Sequence, residues 1–134
     1  NDLMGRKVQR DGGEAAKAFI AEMRPAASQL AGSGDADLAA IGRKLGEGLD
    51  CLGKATDWIV EAGKRDIARS AASAVPYLAL FGNVAAGWLD PRFAAAKIKT
   101  ARFFADHVLV RSAGLLATVA DGADAVMALA EADF

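Results

Sequence analysis

Four groups of residues in this 134-residue chain carry side chains that could do chemistry. His107, the only histidine, has an ordinary pKa of about 6.5 and could exchange a proton near neutrality as a general base. Its sequence neighbour is Asp106, but consecutive residues on a helix point in different directions, so that pair is no orienting dyad. With no nucleophile pattern nearby, His107 reads as a structural or surface residue. Cys51, the only cysteine, sits beside Leu52 in a helical pattern and reads as a small buried hydrophobe rather than a reactive thiolate. Gly46-Glu47-Gly48 begins like a dinucleotide-binding loop, whose glycines let the backbone approach a pyrophosphate at a helix N-terminus. The next glycine, Gly53, is misplaced for that loop, and the run follows no strand, so helix packing is its expected role. Trp58, Tyr77, Phe81 and Trp88 could line a cavity for an acyl chain between helices. Core packing is their plainer reading.

The elements that must hold these residues are helices. The chain has 32 alanines against 16 valines, isoleucines and threonines together, and alanine loses no side-chain entropy in a helix whereas branched residues do. Residues 1–13 form a charged lead-in that stops at Gly12 and Gly13. From 14 to about 31, Phe19, Met23, Ala26 and Leu30 make one apolar stripe, with Pro25 inside it as a source of a kink. Gly32-Ser33-Gly34 ends that helix, and Asp35 or Asp37 can cap the next. Helix two has the clearest register. Leu38, Leu45, Leu52 and Ile59 are seven apart, and Ile41, Gly48 and Ala55 fill the seam between them. Gly42, Gly46, Gly48 and Gly53 each cost about 1 kcal/mol of helix propensity against alanine, which close approach by a neighbouring helix would offset.

A break around Gly63-Lys64-Arg65-Asp66 leads to a third helix over about 67–89. Its residues 70–89 carry no charge, a length that could cross a bilayer. Pro76, Asn83, two serines and many alanines argue instead for a central buried helix, with Asn83 bonded across to another helix. After Asp90-Pro91, a fourth helix over about 91–120 keeps its seam with Ile98, Ala101, Ala105, Val108, Leu115 and Val119, widened by Phe93, Phe103 and Phe104. Asp121-Gly122 breaks the run before a short final helix over 123–130 carrying Val126, Met127 and Leu129. The expected fold is all-α, an up-down four-helix bundle with a short fifth helix, occupying 14–134 as one domain.

Composition excludes several functions. Sixteen basic and seventeen acidic side chains leave a net charge of −1 and no positive field for a nucleic acid backbone. One cysteine cannot form an internal disulfide, and one histidine cannot supply the several N or S ligands of a zinc site; a cytoplasmic, reducing setting fits. The chain opens at Asn1 with no basic-then-apolar leader, and it reads as a piece of something longer.

Several segments, taken in order, carry a resemblance. These are Ala18-Phe19-Ile20 through Met23, Asp37-Leu38-Ala39-Ala40-Ile41-Gly42, Ala55-Thr56-Asp57-Trp58, Ala74-Val75-Pro76-Tyr77-Leu78 with Leu80-Phe81-Gly82, Gly87-Trp88, and Lys97 through Ala105-Asp106-His107. Together they resemble the C-terminal extension of a subfamily of bacterial acyl-CoA dehydrogenases, the acetyl-CoA dehydrogenase C-terminal-like domain. Asp2-Leu3-Met4-Gly5-Arg6-Lys7-Val8 is similar to the end of the segment that follows the catalytic glutamate of such enzymes. The resemblance implies a parent that oxidises acyl-CoA to enoyl-CoA, its glutamate removing the α-proton while FAD accepts the β-hydride.

The family's Tyr-Glu-Gly-Thr-like stretch has no counterpart here, and Asp2, Asp11 and Glu14 match nothing in it. No catalytic, cofactor-binding or metal-ligating residue is therefore assigned to this chain. The implied role is an accessory domain, inactive alone, whose partner is the missing dehydrogenase core and whose parent is a homo-oligomer in the cytoplasm. Residues 1–10 would belong to the core's last helix and be weakly anchored here. The alternative is a freestanding bundle that binds an acyl chain or another hydrophobic small molecule.

Overall fold

The computed structural model describes residues 8–89 and 96–128. Asp2 to Lys7, Asp90-Pro91, Phe93, the segment from Leu129 onward and the Trp88 side chain lie outside the described residues. The described residues form an all-α bundle of α1 (Glu14–Ala31), α2 (Ala36–Arg65), α3 (Ile67–Ala72), α4 (Ala74–Leu89), α5 (Ala96–His107) and α6 (Ser112–Met127), with a 3-10 turn at Leu109–Arg111.

α2, about 45 Å long at 1.5 Å per residue, is the central rod and packs against every other helix. The Asp35 carboxylate caps it by accepting from the amides of Asp37 and Leu38 at 2.9 and 3.0 Å. Its heptad positions Leu45, Leu52, Ala55 and Ile59 are fully buried, joined by Ile41, Leu49, Thr56 and Val60. Close approach, expected at Gly42, Gly46, Gly48 and Gly53, holds for two of these four. A Cβ on Gly42 would meet the α1 backbone, with the Ala27 carbonyl at 2.8 Å; one on Gly48 would meet Val84 at 3.1 Å and the Ser112 hydroxyl at 3.3 Å. Gly46 and Gly53 face open space.

α1 starts at Gly13, whose φ of 81° is the left-handed region that glycine enters without strain. The Asp11 carboxylate accepts from the Gly13 and Ala15 amides there. The buried line of α1 is Ala16, Ile20, Met23 and Ala27, one position round from the expected stripe. Phe19, Ala26 and Leu30 flank it, half-buried. Small residues at the contact let α1 lie close on α2, and the larger ones wrap its edges. The helix runs on through Pro25, which faces solvent.

Two of the four expected rods are each in two pieces. The third is divided at Ser73 into α3 and α4, because Pro76 has no amide to donate to Ala72 and its ring crowds that carbonyl. Asp66 caps α3 through the Ala68 and Arg69 amides, and the Ser73 hydroxyl donates to the Val119 carbonyl at 2.7 Å, tying the break to α6. The fourth rod is broken at the 3-10 turn, not at Asp121-Gly122. That turn buries Leu109 against the backbone face of Gly48 and Gly87. α6 continues through Asp121-Gly122, held by buried Val119 and Ala123 and by an ion pair between Asp124 and Arg69.

Val8 and Gln9 are anchored more firmly than the sequence suggests. Val8 is buried, and the Gln9 side-chain amide donates to the Ile59 carbonyl and to the Ser70 hydroxyl, both at 2.8 Å.

Candidate functional site

The residues singled out for chemistry are dispersed. His107 is exposed at the end of α5, its ring 4.1 Å from that of Phe103. Asp106 accepts instead from Arg102 at 2.7 Å, and Arg102 also reaches Asp37 at 3.2 Å, so this carboxylate serves an α5–α2 tie. Cys51 is half-buried in α2, and burial pushes its thiol above the ordinary range, the opposite of what an activated nucleophile needs. Gly46-Glu47-Gly48 lies inside α2, where backbone amides are committed to the helix, and Glu47 pairs with Lys44 at 2.8 Å. No group of three His, Cys, Asp or Glu side chains converges among the described residues.

Nor do Trp58, Tyr77 and Phe81, the described members of the aromatic set, gather round a cavity. Tyr77 is fully buried, its hydroxyl 2.9 Å from that of Thr56, which in turn donates to the Leu52 carbonyl. Phe81 stacks on Phe19 at 5.2 Å and tilts against Tyr77 at 6.3 Å, closing the space between α1, α2 and α4. Trp58 stands apart, in a surface cleft of about 340 Å³ at the α2–α3 corner, lined also by Glu61, Ala62, Arg65, Asp66 and Arg69. A second groove of about 300 Å³ between α1 and α2 runs past the ion pairs Lys17–Asp57 and Arg24–Asp50. Both are open and carry charges of both signs, which suits water better than an acyl chain.

The feature that sequence reasoning missed is a surface. α4 is not buried all round: Val75, Leu78, Ala79, Gly82 and Ala86 are exposed, and at 100° per residue they fall within an arc of about 100°. Val75 is 78% and Leu78 53% exposed. Asn83, beside this arc, is half-exposed and makes no side-chain hydrogen bond among the described residues, so the expected bond across to another helix is absent. Water can satisfy its amide there. Elsewhere Ile67, Phe103, Val110, Val126 and Met127 are also exposed. The segment Ile98–Met127 is long and apolar enough to cross a membrane by length and composition, although the 3-10 turn and Arg111 interrupt it.

An uncharged helix face left open on a bundle is what a domain taken from a larger protein exposes. The family comparison bears on this directly: the model of acetyl-CoA dehydrogenase C-terminal-like domains matches residues 14–92 and 89–130. This chain belongs to that family. Among curated proteins it is similar to a 3-methylmercaptopropionyl-CoA dehydrogenase of Ruegeria pomeroyi (strain ATCC 700808 / DSM 15171 / DSS-3), at 34% identity over 143 aligned positions. That match takes in 95% of this chain but 24% of the relative, so the chain spans about a quarter of the protein it resembles. No solved structure matches it.

Proposed function

We propose that this chain is the C-terminal accessory domain of a FAD-dependent acyl-CoA dehydrogenase, packing on the catalytic core and inactive alone. The observation that carries this reading is the family match along nearly the whole chain, joined to a dehydrogenase relative of which the chain covers a quarter. The described residues do not suit a flavin. The cleft beside Trp58, about 340 Å³, is shallow and mixed in charge, and the glycines of α2 offer no free amides to a pyrophosphate. On this reading oxidation of the thioester is the task of the rest of the parent polypeptide, which is expected to be a homo-oligomer. The lone unpaired Cys51 suits a cytoplasmic location.

The relative's name makes 3-methylmercaptopropionyl-CoA the first thioester to assay. The test expresses the full reading frame that contains this chain and, separately, residues 1–134. The longer protein is expected to bind FAD and oxidise an acyl-CoA thioester, the shorter to do neither. Stoichiometric FAD binding by residues 1–134 alone would overturn the accessory role.

A further inference from the structure

We propose that the outer face of α4, centred on Val75, Leu78 and Gly82, docks against an apolar surface of the rest of the dehydrogenase polypeptide. This rests on the reading of the chain as one domain of a larger enzyme. α4 is the one long helix with no charged residue, whereas α1, α2, α5 and α6 all carry charges. Val75 and Leu78 project from one end of the arc, and Gly82 and Ala86 continue it as a flat track, with open space where a Cβ on Gly82 would lie. A large side chain from a facing element fits over that track while Val75 and Leu78 reach past it.

Size chooses the occupant. A 16-residue helix is about 24 Å long and presents a face about 10 Å wide, a footprint of about 240 Å². A standard stable complex between free partners needs about 800 Å² on each side. A second copy arriving from solution would be held weakly on this face alone. A partner on the same polypeptide experiences an effective concentration in about the millimolar range, and a face this small then suffices. The match to only 24% of the relative supplies that partner. An anionic membrane surface is disfavoured because α4 offers no lysine or arginine to hold it.

Hydroxyl-radical footprinting of the full-length protein, read by mass spectrometry, tests the proposal. Leu80 is fully buried two residues from Leu78 and has the same intrinsic reactivity, so it serves as the internal standard. In the full-length protein Leu78 is expected to be oxidised as slowly as Leu80. Oxidation of Leu78 about fivefold faster than Leu80, as befits an uncovered surface rather than an interface core, would overturn the proposal. Protection of Leu78 in residues 1–134 alone that rises with protein concentration would assign the face to a second copy and overturn it equally. The two readings separate cleanly. A flavin-bearing, thioester-oxidising protein with Leu78 reactive keeps the dehydrogenase assignment and removes the interface; a protected Leu78 in a long chain without flavin or activity does the reverse.

Discussion

Gln9 lies directly over Gly63. Its side-chain amide, bonded to Ile59 and Ser70, occupies the space that a Cβ on residue 63 would need. Glycine at that position lets the segment before α1 cross the end of α2 and reach α3. Gly63→Ala would recover up to about 1 kcal/mol of helix propensity but displace Gln9 from two hydrogen bonds worth about 1 kcal/mol each. A net loss of about 1 kcal/mol is expected in urea titration. Gln9→Ala with Gly63→Ala should be less than additive, since the first change removes the clash of the second.

The α2 glycines separate into two kinds. Gly46→Ala and Gly53→Ala meet nothing and should each raise stability by up to about 1 kcal/mol. Gly42→Ala would press a methyl group into the backbone of Ala27, Leu30 and Ala31, which cannot yield without moving the end of α1, and should destabilise by about 2 kcal/mol or more. Thermal melts of the three variants would check the opposite signs.

Tyr77 is the only tyrosine, so alkaline titration at 295 nm reads it alone. Burial raises its pKa above the ordinary 10, with the Thr56 hydrogen bond acting the other way. The sign follows. Below pH 10 both states hold the proton; above it the unfolded chain releases it first, so the unfolded state binds fewer protons and stability falls as pH rises through the folded pKa. Absorbance should rise only above the ordinary tyrosine range in the folded protein, and Tyr77→Phe should remove that part of the alkaline destabilisation. The same variant loses the bond to Thr56, about 1 kcal/mol at neutral pH.

Ile98–Met127 has the length and composition of a membrane span, but Lys99, Arg102, Asp106, Arg111, Asp121 and Asp124 lie along it. The protein is expected to stay in the aqueous phase when Triton X-114 separates. Partition into the detergent phase would contradict this.

Much of the fold can be read locally because its causes are local. The sevenfold spacing from Leu38 to Ile59, the cap at Asp35 and the stop at Gly32 depend only on neighbours in the chain, and α2 follows them. The family resemblance could also be read from ordered short motifs, and the family match agrees with it. The candidate surface was hidden. In residues 70–89 nearly every position is apolar or small, so hydrophobic periodicity has no phase to show which side turns outward.

Amino-acid order by itself determined that this protein is helical and where α2 begins and runs. Tertiary structure decided which side of α4 meets α2 and α6, which glycines are covered, and that the last rod bends at Leu109–Arg111 instead of at Asp121-Gly122. The physical reason is the same in each case: caps and repeats act over one or two turns, whereas burial of an all-apolar helix depends on contacts from distant parts of the chain.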